Sequence, residues 1–142
     1  MDGNLRQLFR AHLKDVFFTS VETGATGRGT PDSYAIYKGS SCWIEFKQTK
    51  AWKTTLTPEQ ISWHLRHSRN GGRSFIAVRR QHFLGGNNQY DELWIMDGNI
   101  ADICTSLRDI SLGLTNIWSG GAARWDWNQI RQVLFGTNSN RQ

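Results

Sequence analysis

The chain has 142 residues, a formal net charge of +5 and a sequence pI near 9.6. Its length predicts one domain over 1–142 with a sizeable core. The basic balance favours a polyanionic partner, and no apolar run approaches the roughly 20 residues of a membrane helix. Cys42 and Cys104 form no CxxC pair and no zinc-ligand pattern, and Cys42 in an apolar strand reads as a small core residue. No signal-peptide apolar region opens the chain. A reducing, cytoplasmic setting is therefore expected.

Asn4 to Val16 carries Leu5, Leu8, Phe9, His12, Leu13 and Val16 at helical spacing, which predicts the first helix. Phe17 to Glu22 reads as a strand, and Gly24 to Thr30 as a glycine-rich loop. Ser33–Lys38 and Ser41–Lys47 are rich in aromatic and β-branched residues and predict a hairpin. A second helix starts cleanly at Thr57, with Pro58 at the first helical position and Gln60 completing a capping box. It runs to about Arg69 and ends at Gly71-Gly72. Ser74–Val78 then reads as a buried strand, parallel to its neighbour. Glu92–Met96 predicts a strand, Ile100–Ile103 one that pairs back, Thr105–Leu112 a helix, and Trp125–Phe135 a final helix. The tail, Thr137–Gln142, is polar and expected to fray.

The hairpin carries the chemistry. With Gly39-Ser40 as a two-residue type II′ turn, Lys38 faces Ser41 and Asp32 lies opposite Lys47. Glu45 points to the same face as Lys47, a diagonal neighbour of Asp32 at roughly 7–8 Å. Two carboxylates so placed can share a Mg²⁺ ion, and a lysine beside them can serve a water or a phosphate. A three-residue turn would send Asp32 to the other face.

Gly29-Thr30-Pro31-Asp32, Trp43-Ile44-Glu45-Phe46-Lys47 and Leu56-Thr57-Pro58-Glu59-Gln60 resemble the motifs of the PD-(D/E)XK nuclease superfamily. Within it they look most like the VRR-NUC and archaeal-type Holliday junction resolvase branches. The resemblance covers about Leu5 to Arg79. It implies an α/β restriction-endonuclease-like core in the order αβββαβ, over about 5–80. Residues 81–136 then form a tryptophan-rich extension that the family core does not explain. Carried over, Asp32 and Glu45 become ligands of Mg²⁺ or Mn²⁺, the main-chain carbonyl of Phe46 completes the shell, and Lys47 is the active-site lysine. Gln60 maps to a glutamine near the site in related families, a role that competes with capping. Many relatives place a further acidic ligand in the first helix. That helix has no glutamate here, and Glu22 is the substitute, readable equally as a solvated strand end.

Arg28 in the glycine loop, with Lys50 and Lys53 after the hairpin, is expected to contact DNA backbone. Trp52 reads equally as stacking on an unpaired base or as a surface tryptophan in a solvated loop, and His64, four residues after Gln60, as a phosphate contact or a surface residue. Arg79 and Arg80 read either as DNA contacts or as a solvated strand end. Trp94, Trp118, Trp125 and Trp127 read either as core or as a dimer interface, since resolvase relatives are two-fold dimers. The function expected is metal-dependent DNA endonuclease activity on branched DNA such as a Holliday junction or flap, in recombination or repair. A non-specific or restriction-type endonuclease of the same fold, and a DNA-binding module without catalysis, stand as alternatives.

Overall fold

A computed structural model describes residues 4–21, 28–81 and 90–136. Helix α1 (Leu5–His12) leads into strands β1 (Phe17–Ser20), β2 (Ser33–Tyr37) and β3 (Ser40–Thr49). Helix α2 (Pro58–Arg69) carries the chain to β4 (Ser74–Gln81), followed by β5 (Asp91–Asp97), β6 (Thr115–Trp118) and α3 (Trp127–Phe135). The six strands form one sheet in the order β1-β2-β3-β4-β5-β6. Among the described residues only β3 and β4 are parallel, joined by α2 as the crossover such a pair requires. The fold is thus mixed α/β with helices on both sheet faces, and its first six elements keep the predicted αβββαβ order.

Strand alternation sorts the core into two layers. Cys42, Ile44 and Phe46 of β3, with Phe75 and Ala77 of β4, face α1 and α3 through Leu5, Phe9, Ile130 and Leu134. Ile76 and Val78, with Trp94 and Met96, face the other way, toward α2 and a 3-10 segment at Gly98–Ile103. Glu45 and Lys47 lie on this second face, because they alternate with Ile44 and Phe46.

Several sequence expectations are corrected. The first helix stops at His12. Leu13 leaves helical geometry at φ −116° and ψ 62°, and Val16 reaches the core through a turn. The hairpin turn is Lys38-Gly39, not Gly39-Ser40. Both residues have positive φ, 49° and 83°, the requirement of a type I′ turn. Ser33 therefore pairs with Ile44, which brings Asp32 level with Glu45 rather than Lys47. The shift is two residues along β3, one full pleat period, so the faces are preserved. Ile100–Ile103 forms no strand. Asp97 caps a 3-10 segment there, accepting from the Asn99 N–H at 2.8 Å. Thr105–Leu112 forms no α-helix, because residues 105–107 are hydrogen-bonded to 52–54: Thr54 N–H to Thr105 O at 3.0 Å and Leu107 N–H to Trp52 O at 2.8 Å. Strand β6 has no counterpart in the sequence reading. Trp94 and Trp125 are buried in the protein's own core, and Trp127 packs against it.

Candidate active site

The sheet edge changes character where β2 ends. Pairing with β3 stops at Ser33–Ile44, so residues 45–47 run past the end of β2. The Phe46 N–H on that side is met by a side chain: Asp32 Oδ2 accepts it at 2.9 Å. Asp32 is held in turn by its own carbonyl, which accepts from Val21 N–H at 2.8 Å. The Phe46 ring points the opposite way and packs edge-on against Phe9 at 4.9 Å.

Helix α2 supplies the fourth group. Thr57 caps it reciprocally with Gln60, whose Oε1 accepts from Thr57 N–H at 2.9 Å. The same Oε1 accepts from Lys47 Nζ at 3.2 Å, and Gln60 Nε2 donates to Glu45 Oε2 at 3.4 Å. Capping and site contact, which compete in the sequence, are made by one side chain. Lys47 Nζ stands 3.9 Å from Glu45 Oε2. The loop bearing Asp32 is pressed on this helix turn at Gly29, whose φ is +84° and whose missing Cβ would lie 2.2 Å from the Glu59 carbonyl oxygen. Glycine is required there by both space and conformation.

Glu45 is 2% exposed, and its Oε1 has no hydrogen-bond partner. Burial, then the neighbouring Asp32 charge, pushes its carboxyl up to about 8, against a smaller opposing pull from Lys47. A buried oxygen without a donor, beside a second carboxylate, is an environment that a cation relieves. Hard oxygen donors in this number suit Mg²⁺ or Mn²⁺, which keep several waters of their own. Among the described residues no group of three or more acidic, histidine or cysteine side chains assembles. Glu22 and Gly24–Gly27 lie outside the described residues.

Other expected contacts are placed differently. His64 is fully buried and cannot meet a phosphate: Nδ1 lies 2.8 Å from Ser74 Oγ. Burial, then the charges of His67 and Lys47, lowers its pKa to about 4, so it is neutral at pH 7. Trp52 is half-buried and engaged within the protein. The Arg80 guanidinium lies 3.7 Å from its ring centre, Arg108 lies at 4.9 Å, and Trp94 meets it edge-on. Arg80 also pairs with Glu92, and Arg79 makes a two-pronged pair with Asp91 at 2.9 and 2.7 Å, so both arginines brace the sheet. Lys50, Lys53 and Arg28 are exposed. The sequence reading passed over Tyr34, Trp43 and Trp63, which line up beside the carboxylates. The alternation Asp32–Tyr34 and Trp43–Glu45 was the signal that could have found the first two.

No protein-family model matches the chain, and no curated protein matches it. Among solved structures it is similar to Archaeoglobus fulgidus Hjc, a Holliday junction resolvase from an archaeal hyperthermophile. Identity is 13%, over 82% of this chain and 86% of that one, with a TM-score of 0.47. A likeness of that degree carries nothing about activity.

Proposed function

We propose that this chain is a divalent-metal-dependent DNA endonuclease with Asp32, Glu45, Lys47 and Gln60 as its working groups. The observation that carries the reading is their convergence where β2 ends, with Glu45 Oε1 buried and unpartnered beside Asp32. Asp32, Glu45 and the Phe46 carbonyl would hold Mg²⁺ or Mn²⁺. When bound, the ion withdraws charge from a phosphoryl group and acidifies its water. Lys47 offers a compact positive charge to the attacking water or to the phosphoryl oxygens. Gln60 fixes that ammonium by accepting from it while Thr57 holds the amide in place, so Lys47 loses little freedom on binding substrate. Hydrolysis then adds water across one phosphodiester bond.

Branched DNA is the proposed substrate class, supported by the motif resemblance, and a two-fold dimer would place two such sites on one junction. The test is cleavage of labelled four-way junction, flap and linear duplex with Mg²⁺ or Mn²⁺, using Lys47→Ala and Asp32→Ala as controls. Paired symmetric nicks in the junction, lost in both variants, are expected. Equal cutting of all three DNAs would make it a general endonuclease. Salt-sensitive binding without cleavage under any metal would leave a DNA-binding module and sink the enzymatic reading.

A further inference from the structure

A cleft of about 360 Å³ opens between the loop that precedes β2 and the outer side of α2. It is lined by Arg28, Pro58, Glu59, Ser62, Trp63 and Arg66. Glu59, Trp63 and Arg66 recur at helical spacing and share a face of α2 next to the one that carries Gln60. Arg28 stands one residue from Gly29, which is pressed against Glu59. The cleft thus shares with the candidate active site the loop before β2 and helix α2, to which the site adds Glu45 and Lys47 of β3.

Trp63 is half-buried and braced on three sides. His67 stacks on it at 4.6 Å and 14°, and Trp43 and His64 meet it edge-on at 5.6 and 5.4 Å. Tyr34 extends the row, edge-on to Trp43 at 5.1 Å. Trp43 lies two residues before Glu45 on the same strand face, about 7 Å away along β3. A rigid indole so held loses no freedom when a flat ring stacks on it. Among the described residues the guanidinium groups of Arg28 and Arg66 make no hydrogen bond or ion pair. Glu59 offsets one of them, so the cleft carries about one net positive charge. That suits one phosphate better than the paired backbones of a duplex.

Resting on the nuclease reading, we propose that this cleft is a subsite for one unpaired nucleotide next to the scissile phosphate. The base stacks on Trp63, and Arg28 and Arg66 take the phosphate. A base inside a duplex is covered by its neighbours and cannot reach an indole set between a loop and a helix. The substrate therefore presents a single strand, a flap or a splayed junction arm at this point. Trp63 assumes the role that the sequence suggested for Trp52.

The test is fluorescence anisotropy in chelator, with a labelled oligothymidylate and a blunt duplex of equal length. No cleavage is needed for this readout. Trp63→Ala should weaken single-strand binding by about 5- to 150-fold, the usual range for one stacked base, with duplex binding unchanged. Trp63→Phe, which keeps a ring and the packing, should retain most of it. Arg66→Ala, at an exposed position that cannot unfold the protein, should lower the salt slope of single-strand binding by about 0.7. Equal loss on both DNAs, or no loss on either, in Trp63→Ala, or an unchanged slope in Arg66→Ala, would overturn the subsite. If wild type cuts no DNA but these binding differences hold, the nuclease reading falls and the subsite stands. If wild type cuts and Trp63→Ala leaves its flap-to-duplex ratio unchanged, the reverse is true.

Discussion

Replacing Glu45 by glutamine removes a charge and almost no volume at a side chain that is 2% exposed. Burial first and Asp32 second raise this carboxyl from an ordinary 4.5 to about 8, with Lys47 opposing. The unfolded chain gives up the proton near the ordinary value, whereas the fold keeps it to about 8. Between those limits the native state binds more protons than the unfolded one, so stability of the metal-free protein falls as pH rises. The penalty is absent below the unfolded value and complete above the folded one. At 1.36 kcal/mol per pH unit its ceiling is about 5 kcal/mol. Glutamine has no such proton to lose. In urea unfolding with chelator, wild type and Glu45→Gln should lie close together at about pH 5 and diverge by about pH 9, the variant being the more stable. Mg²⁺ should restore wild type most strongly at high pH, because it binds the ionised carboxylate, and should leave the variant unmoved. Parallel pH curves for the two proteins would refute the burial of the Glu45 carboxyl beside Asp32. Equal stabilisation of both by Mg²⁺ would remove Glu45 from the ligands.

Gln60→Glu keeps the capping interaction with Thr57 but loses the donor to Glu45 and adds a negative charge there. Its unfolding free energy in urea should change by less than about 1 kcal/mol, with DNA cleavage down about 100-fold, whereas Gln60→Ala should also lose about 1 kcal/mol of stability. Asp32→Asn retains an acceptor for the Phe46 N–H and should fold normally without cutting. Asp32→Ala strands that N–H and should cost about 1–3 kcal/mol in the same denaturation assay. Gly29→Ala adds a Cβ against the Glu59 carbonyl at positive φ. It should lower stability by about 1–3 kcal/mol and reduce cleavage by more than that loss explains, read by thermal melts beside cleavage rates.

What the sequence made legible is what local chemistry decides. Thr57, Pro58 and Gln60 specify the start of α2 within four residues, and the helix begins there. Alternation along Ser41–Lys47 puts Glu45 and Lys47 on one face, and Asp32 stays with that face because moving the turn by one residue shifts the register by two. What was illegible depends on distant partners. Residues 105–107 turn away from helix because 52–54 take their hydrogen bonds. His64 looked solvent-facing from its spacing to Gln60, yet Ser74 holds its ring and Gly98 closes over it: a Cβ at Gly98 would lie 2.9 Å from His64 Nδ1. Trp52 is claimed by Arg80 and Arg108, which arrive from β4 and from the 3-10 turn Leu107–Asp109.

The site sits where it does because β3 has different neighbours along its two halves. Up to Ile44 it is paired antiparallel with β2, and β4 joins it in parallel on the other side from Trp43 onward. Beyond Ile44 the β2 side opens while β4 continues to Thr49, so the backbone stays fixed by one partner as space appears beside it. Asp32 fills the first vacancy by taking the place of a strand carbonyl at Phe46, which sets a carboxylate where the ladder would otherwise go on. Proximity to Glu45 follows from register. Burial first and the like charge of Asp32 second raise the carboxyl, and Lys47 offsets only part of that. A ladder closed by a carboxylate instead of a peptide group thus accounts for both the limit of the β2–β3 pairing and the like charge beside Glu45 at the same point. Trp43 and Tyr34 belong to the same geometry: paired with each other, they lie one pleat period from Glu45 and Asp32 on the same face of the sheet.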